Sequence, residues 1–183
     1  AEADLALARE FGLVASMHHS SGPQCPSEVW RSLIEKDLMG PWVNLVHANT
    51  IDDNLLARLV DRGVTFTMTP EVELNDGHGH PITGRLRALG AVPALGIDIE
   101  TGTSPELTIA ARMALAHQRG LDFAAIQADN SLVERIGRIA RIEALGWLTS
   151  AGAAALGLSD RIGALELGLQ ADHAIIDPRA INL

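Results

Sequence analysis

With 183 residues, 47% of them hydrophobic and only 3% aromatic, the chain is long enough for one well-buried domain whose core is built from Leu, Ile, Val and Ala, which favours an α/β protein. A formal charge of −9 argues against a nucleic-acid backbone or an anionic membrane as partner and leaves small molecules or proteins. The lone Cys25 excludes an internal disulfide and suits a reducing, cytoplasmic setting; the sequence shows no long apolar run of membrane-spanning length and no basic-then-apolar leader at its start.

From residue 1 to 11 the apolar positions Leu5, Ala6, Ala8 and Phe11 fall at helical spacing, and Gly12 breaks the pattern before an apolar strand over 13–17. A chain that starts inside such a helix without methionine reads as excised or fragmentary. A Gly/Pro/Ser loop over 20–27 leads to a helix over 27–38, with Ser27 as N-cap and Val29, Trp30, Leu33, Ile34 and Leu38 on one side. Residues 43–46 form a short strand that stops at His47, and 50–62 a helix on Ile51, Leu55, Leu56 and Leu59, closed by Gly63. Residues 64–68 are β-branched and strand-like, 69–80 a polar loop, 81–89 a short helix ended by Gly90, and 92–97 a further strand. Helices are then expected over 104–119, 131–145 and a stretch containing 153–156, and the tail holds one short strand over 173–176.

Strand, polar loop and helix recur four times, the grammar of parallel βα units with right-handed crossovers. Such a series suits half of an eight-stranded barrel or a small open doubly wound sheet. His18 or His19, His47 and Asp98 all fall at the C-terminal ends of these strands, where barrels place their chemistry, and no glycine-rich phosphate loop follows the first strand. The barrel half is therefore the expectation.

Alternation along a strand sends the rings of His18 and His19 to opposite sides, so one of them is a candidate metal ligand and the other a hydrogen-bonded strand-end residue. Asp98, in Ala94-Leu95-Gly96-Ile97-Asp98, suits a metal ligand that also accepts a proton from water, or a helix-capping acid. His47 suits a site residue or a core-edge histidine. Three coincident strand ends favour the site.

The phrases Leu45-Val46-His47-Ala48-Asn49, Ala94-Leu95-Gly96-Ile97-Asp98 and Ile162-Gly163-Ala164-Leu165-Glu166-Leu167-Gly168-Leu169-Gln170-Ala171-Asp172 resemble the amidohydrolase superfamily, in its cytosine deaminase and triazine hydrolase branch. The last phrase is the most specific and is similar to the segment by which that branch returns to a small β-sandwich. The resemblance implies the C-terminal half of a TIM-like (β/α)8 metal-dependent hydrolase barrel over about 1–160, with 161–183 returning to the accessory β-sandwich. It implies one divalent metal, zinc or iron, with His18 (His19 as the alternative) as the fifth-strand ligand and Asp98 as the eighth-strand ligand. His47 becomes the sixth-strand histidine that orients hydroxide or substrate and steadies developing negative charge, while Asp98 takes a proton from water.

The implied activity is deamination or another C–N hydrolysis of a nitrogen heterocycle or related small molecule, as part of a longer chain. The first-strand histidine pair has no counterpart, and Ser21 or Gly22 stands where the branch's deaminases carry an acidic glutamate. The polar loop over 69–80 offers Glu71 as a replacement acid and His78 or His80 as substrate contacts, with a solvated Gly-hinged loop as the plain alternative. Trp42 is expected to line a ring-binding pocket near His47. No nucleic acid and no membrane are expected as partners. Open strand edges of a half barrel favour a homo-oligomer, and a non-catalytic remnant acting in assembly is the alternative function.

Overall fold

The computed structural model describes residues 2–19, 27–134, 136 and 138–175. The element order is α1 (Glu2–Glu10), β1 (Ala15–His19), α2 (Ser27–Glu35), β2 (Val43–His47), α3 (Asp53–Asp61), β3 (Thr65–Met68), α4 (Pro70–Asn75), α5 (Thr83–Ala88), β4 (Ala94–Leu95), α6 (Leu107–Ala128), a 3-10 turn (Asn130–Val133), α7 (Arg141–Leu148) and α8 (Ser150–Ala155). The four strands form one parallel sheet in chain order, β1-β2-β3-β4, the arrangement that successive right-handed βα units generate. Ser16 sits opposite Asn44, Asn44 opposite Thr65, and Thr67 opposite Ala94.

The two faces of the sheet differ because side chains alternate along a strand. Val43, Leu45, Phe66 and Met68 bury into the core against Leu5, Trp30, Leu33, Leu55, Leu59 and Leu86 from the helices. The opposite face carries a polar ladder. Asn44 Nδ2 donates to Ser16 Oγ at 3.0 Å, and the hydroxyls of Thr65 and Thr67 donate to Asn44 Oδ1 at 3.3 and 3.0 Å. These bonds let polar side chains occupy the inner face without unpaired groups. A cavity of about 570 Å³ opens on this face between Ser16, Asn44, Val46 and Thr67 and the α8 residues Gly152 and Ala155.

Local chemistry explains the helix bounds. Asp52 caps α3 by accepting from the Leu55 N–H at 2.9 Å, and Leu55, Leu56 and Leu59 form its buried stripe. The stretch expected as a polar loop over 69–80 contains α4, because Pro70 at the first helical position presets φ and lacks the N–H a helix start would leave unpaired. α6 runs on past the expected end at 119 to Ala128, with Gly120 accommodated inside the helix; its buried stripe Ala110, Ala114 and Gln118, at the helical spacing of four, lies in the first half. The helix expected over 131–145 is instead split into the 3-10 turn and α7; Asp129 turns the chain by accepting from Ser131 N at 2.9 Å.

The tail strand expected over 173–176 is not formed at 173–175, and 176 lies outside the described residues. Here His173 Nδ1 donates to Ala171 O at 2.8 Å, Gln170 N donates to Arg161 O at 2.8 Å, and Leu165 and Leu167 are exposed. Among the described residues no helix is long and apolar enough to cross a membrane.

Candidate metal centre

Both histidines of His18-His19 lie inside β1 rather than beyond it, and alternation separates them as expected. His19 turns to the helices and is buried. Trp30 Nε1 donates to its Nδ1 at 2.7 Å, and its Nε2 lies 2.9 Å from Thr50 Oγ1. Because an indole N–H only donates, Nδ1 must accept, so Nε2 carries the proton and donates to Thr50. Both nitrogens are engaged. Burial holds this imidazole below its ordinary pKa, with the neighbouring His47 adding to the effect. His18 faces the opposite side and is exposed.

His47 reaches His18 by an irregular route. It pairs in register with His19, so strict alternation would send its ring toward the helices. Instead His47 has φ +70 and Ala48 φ +56, and Ala48 N donates to Val46 O at 3.1 Å, a γ-turn of the rarer, strained kind centred on His47. Its Nε2 then lies 3.2 Å from His18 Nδ1 and 3.7 Å from Asp98 Oδ2. Asp98 also sits in the left-handed region, at φ +67, and a non-glycine residue held there signals a conformation imposed by its surroundings. Thr103 pins the loop around Asp98 by donating its hydroxyl to Ile97 O and Ile99 O.

One atom from each of His18, His47 and Asp98 lies within 4.8 Å of the others. Two imidazoles and a carboxylate are a donor set that zinc and iron both accept. The 3.2 Å between the two ring nitrogens matches the roughly 3.3 Å that separates two ligands held about 2.05 Å from a tetrahedral ion. The residues present therefore fit a divalent ion.

The remaining candidates are placed as follows. His78 packs edge-on against His47, ring centroids 5.3 Å apart, and its buried Nδ1 has no partner among the described residues. Glu71 accepts from Ser104 N at 2.9 Å; the acid that touches the cluster is Glu73, two residues on, whose Oε1 lies 3.3 Å from His47 Nδ1. Trp42 does not line a pocket near His47. It precedes β2 while His47 ends it, roughly 16 Å away along a strand rising about 3.3 Å per residue, and it packs under the Arg9 guanidinium at 4.8 Å. His80 pairs with His117 at 2.9 Å between Nδ1 and Nε2. Burial lowers the His117 pKa, His80 adds to this, and Glu73 opposes it. Ser21 and Gly22 lie outside the described residues.

Glu73 and Thr69 are the site neighbours that sequence reading missed. The signal was Thr69-Pro70, a helix start, which places Thr69 and Glu73 one turn apart on the same side.

A parallel βα sheet with its histidines and aspartate gathered at the C-terminal strand ends is the arrangement that part of a (β/α)8 barrel would present. No family model and no curated protein sequence matches the chain. Solved structures do share its fold. A zinc-bound adenosine deaminase from Xanthomonas campestris superposes with a TM-score of 0.75 at 22% identity, over 94% of this chain and 40% of its own. The zinc complex of an atrazine chlorohydrolase from Arthrobacter aurescens TC1 gives 0.76 at 22% identity over 93% and 37%. E. coli guanine deaminase gives 0.71 at 18% identity over 91% and 38%. The chain thus spans 37–40% of the length of these neighbours.

Proposed function

We propose that the chain is the C-terminal half of a metal-dependent amidohydrolase that hydrolyses a C–N bond of a nitrogen heterocycle or related small molecule, most simply by deamination. The observation that carries this reading is the convergence of His18, His47 and Asp98 at the strand ends; the zinc-bound deaminase and hydrolase neighbours support it. Their greater length supports the further view that the working enzyme is a longer chain.

His18, Asp98 and His47 would hold one zinc or iron ion, His18 being the first-strand histidine of the described sheet with a ring free of the helix side. A divalent ion there supplies positive charge that acidifies water and polarises the carbon under attack. Asp98, with its side chain 17% exposed beside the cluster, accepts the proton that water gives up. His47 Nε2, facing Asp98 and His18, would complete the ligand set, so that the charge developing on the attacked atom is met by the ion rather than by this ring. His78, edge-on to His47, would contact substrate, and Glu71 remains a candidate acid for the leaving nitrogen from the next helix start.

A second reading, a non-catalytic remnant acting in assembly, is favoured by one observation: β1 and β4 each pair with a neighbour on one side only among the described residues, leaving edges that a second copy could cover. Ammonia release from a panel of aminated heterocycles, measured on the longest natural form and its Asp98→Ala variant, separates the two. Release lost in the variant supports the hydrolase. A zinc-loaded natural form that releases no ammonia from any member supports the remnant.

A further inference from the structure

Glu73 is fully buried, with no solvent exposure of its side chain. Its Oε1 accepts from Thr69 N at 3.0 Å and lies 3.3 Å from His47 Nδ1. Its Oε2 has no partner among the described residues. Placing a carboxylate out of water is costly unless a charge or hydrogen-bond partner compensates. Capping the start of α4 does not account for that burial, because the same task at α3 is done by Asp52 with 47% of its side chain exposed. What burial adds is contact with the ring of His47.

The chemistry of the contact fixes a proton. A carboxylate only accepts, so the His47 nitrogen that meets Glu73 must be the one that carries hydrogen. Thr69 Oγ1, 3.0 Å from the same Nδ1, shares that N–H. Nε2 is then left with its lone pair toward His18 Nδ1 and Asp98 Oδ2. The γ-turn that aims His47 is strained, at φ +70, and an anchor on the far side of the ring holds it there.

We propose that Glu73 is the positioning residue of the cluster: its carboxylate locks His47 as the Nδ1–H tautomer and so presents Nε2 as a ligand to a divalent cation. Carboxylate, imidazole and cation in series is a general way of orienting a ligating histidine and raising its basicity. The proposal deepens the metal-centre reading and rests on it for its consequence, although the tautomer itself needs no metal.

Two-bond 15N–1H NMR on the metal-free protein, at a pH where imidazoles are neutral, reads that tautomer directly. The expected result is Nδ1–H at His47 in the unsubstituted chain and in Glu73→Gln, whose amide oxygen still accepts, with loss of the preference in Glu73→Met. Zinc affinity measured by calorimetry is expected to fall by about 10- to 100-fold in Glu73→Met and to be largely restored in Glu73→Gln. Nε2–H at His47 in the unsubstituted chain overturns the proposal even if Glu73→Met fails to fold, and so does an unchanged Nδ1–H in a folded Glu73→Met. Nδ1–H in a chain that binds no zinc upholds the positioning role and sinks the metal reading instead.

Discussion

Replacing His19 with asparagine tests whether the strand end divides its two histidines as described. Asn can keep an oxygen near the position of Nδ1 to accept from Trp30, but it has nothing at Nε2 to donate to Thr50 and it does not titrate. Loss of one neutral hydrogen bond should cost about 1 kcal/mol at high pH. The pH dependence is more telling. The folded pKa of His19 lies below its ordinary 6.5, so the unfolded chain takes up the proton first. Stability is therefore complete above that value and declines as pH falls from it toward the folded pKa, with a slope of about 1.4 kcal/mol per pH unit for this one proton. His117, shifted in the same direction, contributes to both proteins, so the difference between them isolates His19. Urea unfolding of both chains between about pH 5 and pH 8 should show the gap at high pH narrowing as pH falls. Parallel curves would mean that folded His19 protonates freely, that Trp30 and Thr50 do not engage it, and that it is open to act as a ligand.

Substitutions at two further positions probe the scaffold and the strained loop. Leu55→Ala, at a side chain with no exposure in the core between α3 and the sheet, should lower stability by about 2–5 kcal/mol in urea titrations; a loss well under that range would contradict the packing. Asp98→Gly and Asp98→Ala both lack the carboxylate, so their difference reports the backbone at φ +67. Glycine should be the more stable of the pair by about 1 kcal/mol, and equal unfolding midpoints would remove the argument that Asp98 is held in a strained conformation.

Much of the fold was legible because its signals are local. Glycines after apolar stripes, as at Gly63 and Gly90 with φ +78 and +74, end the helices where expected, and a short apolar run and a β-branched run mark β2 and β3. The limits of α6 and the break before α7 were not legible, since apolar residues such as Leu132, Val133, Ile136 and Ile139 keep near-helical spacing between them and the Asp129 turn decides where the chain bends. The site was half legible. Strand-end position singled out His18, His47 and Asp98, yet the alternation that separates His18 from His19 would by itself have turned His47 the wrong way. The γ-turn at His47 and Ala48 rescues it, and no side-chain pattern announces left-handed backbone at two ordinary residues. Trp42 was misplaced for the opposite reason: nearness in sequence to His47 hid the length of the strand between them. Glu73 escaped notice because a loop was expected where Pro70 starts a helix.

The central claim, that His18, His47 and Asp98 form a metal centre, is tested most directly by elemental analysis of the longest natural form beside its Asp98→Ala variant, each loaded with zinc and dialysed. About one ion per chain that falls sharply in the variant is the predicted result; no bound metal in either protein, with both folded, would contradict it.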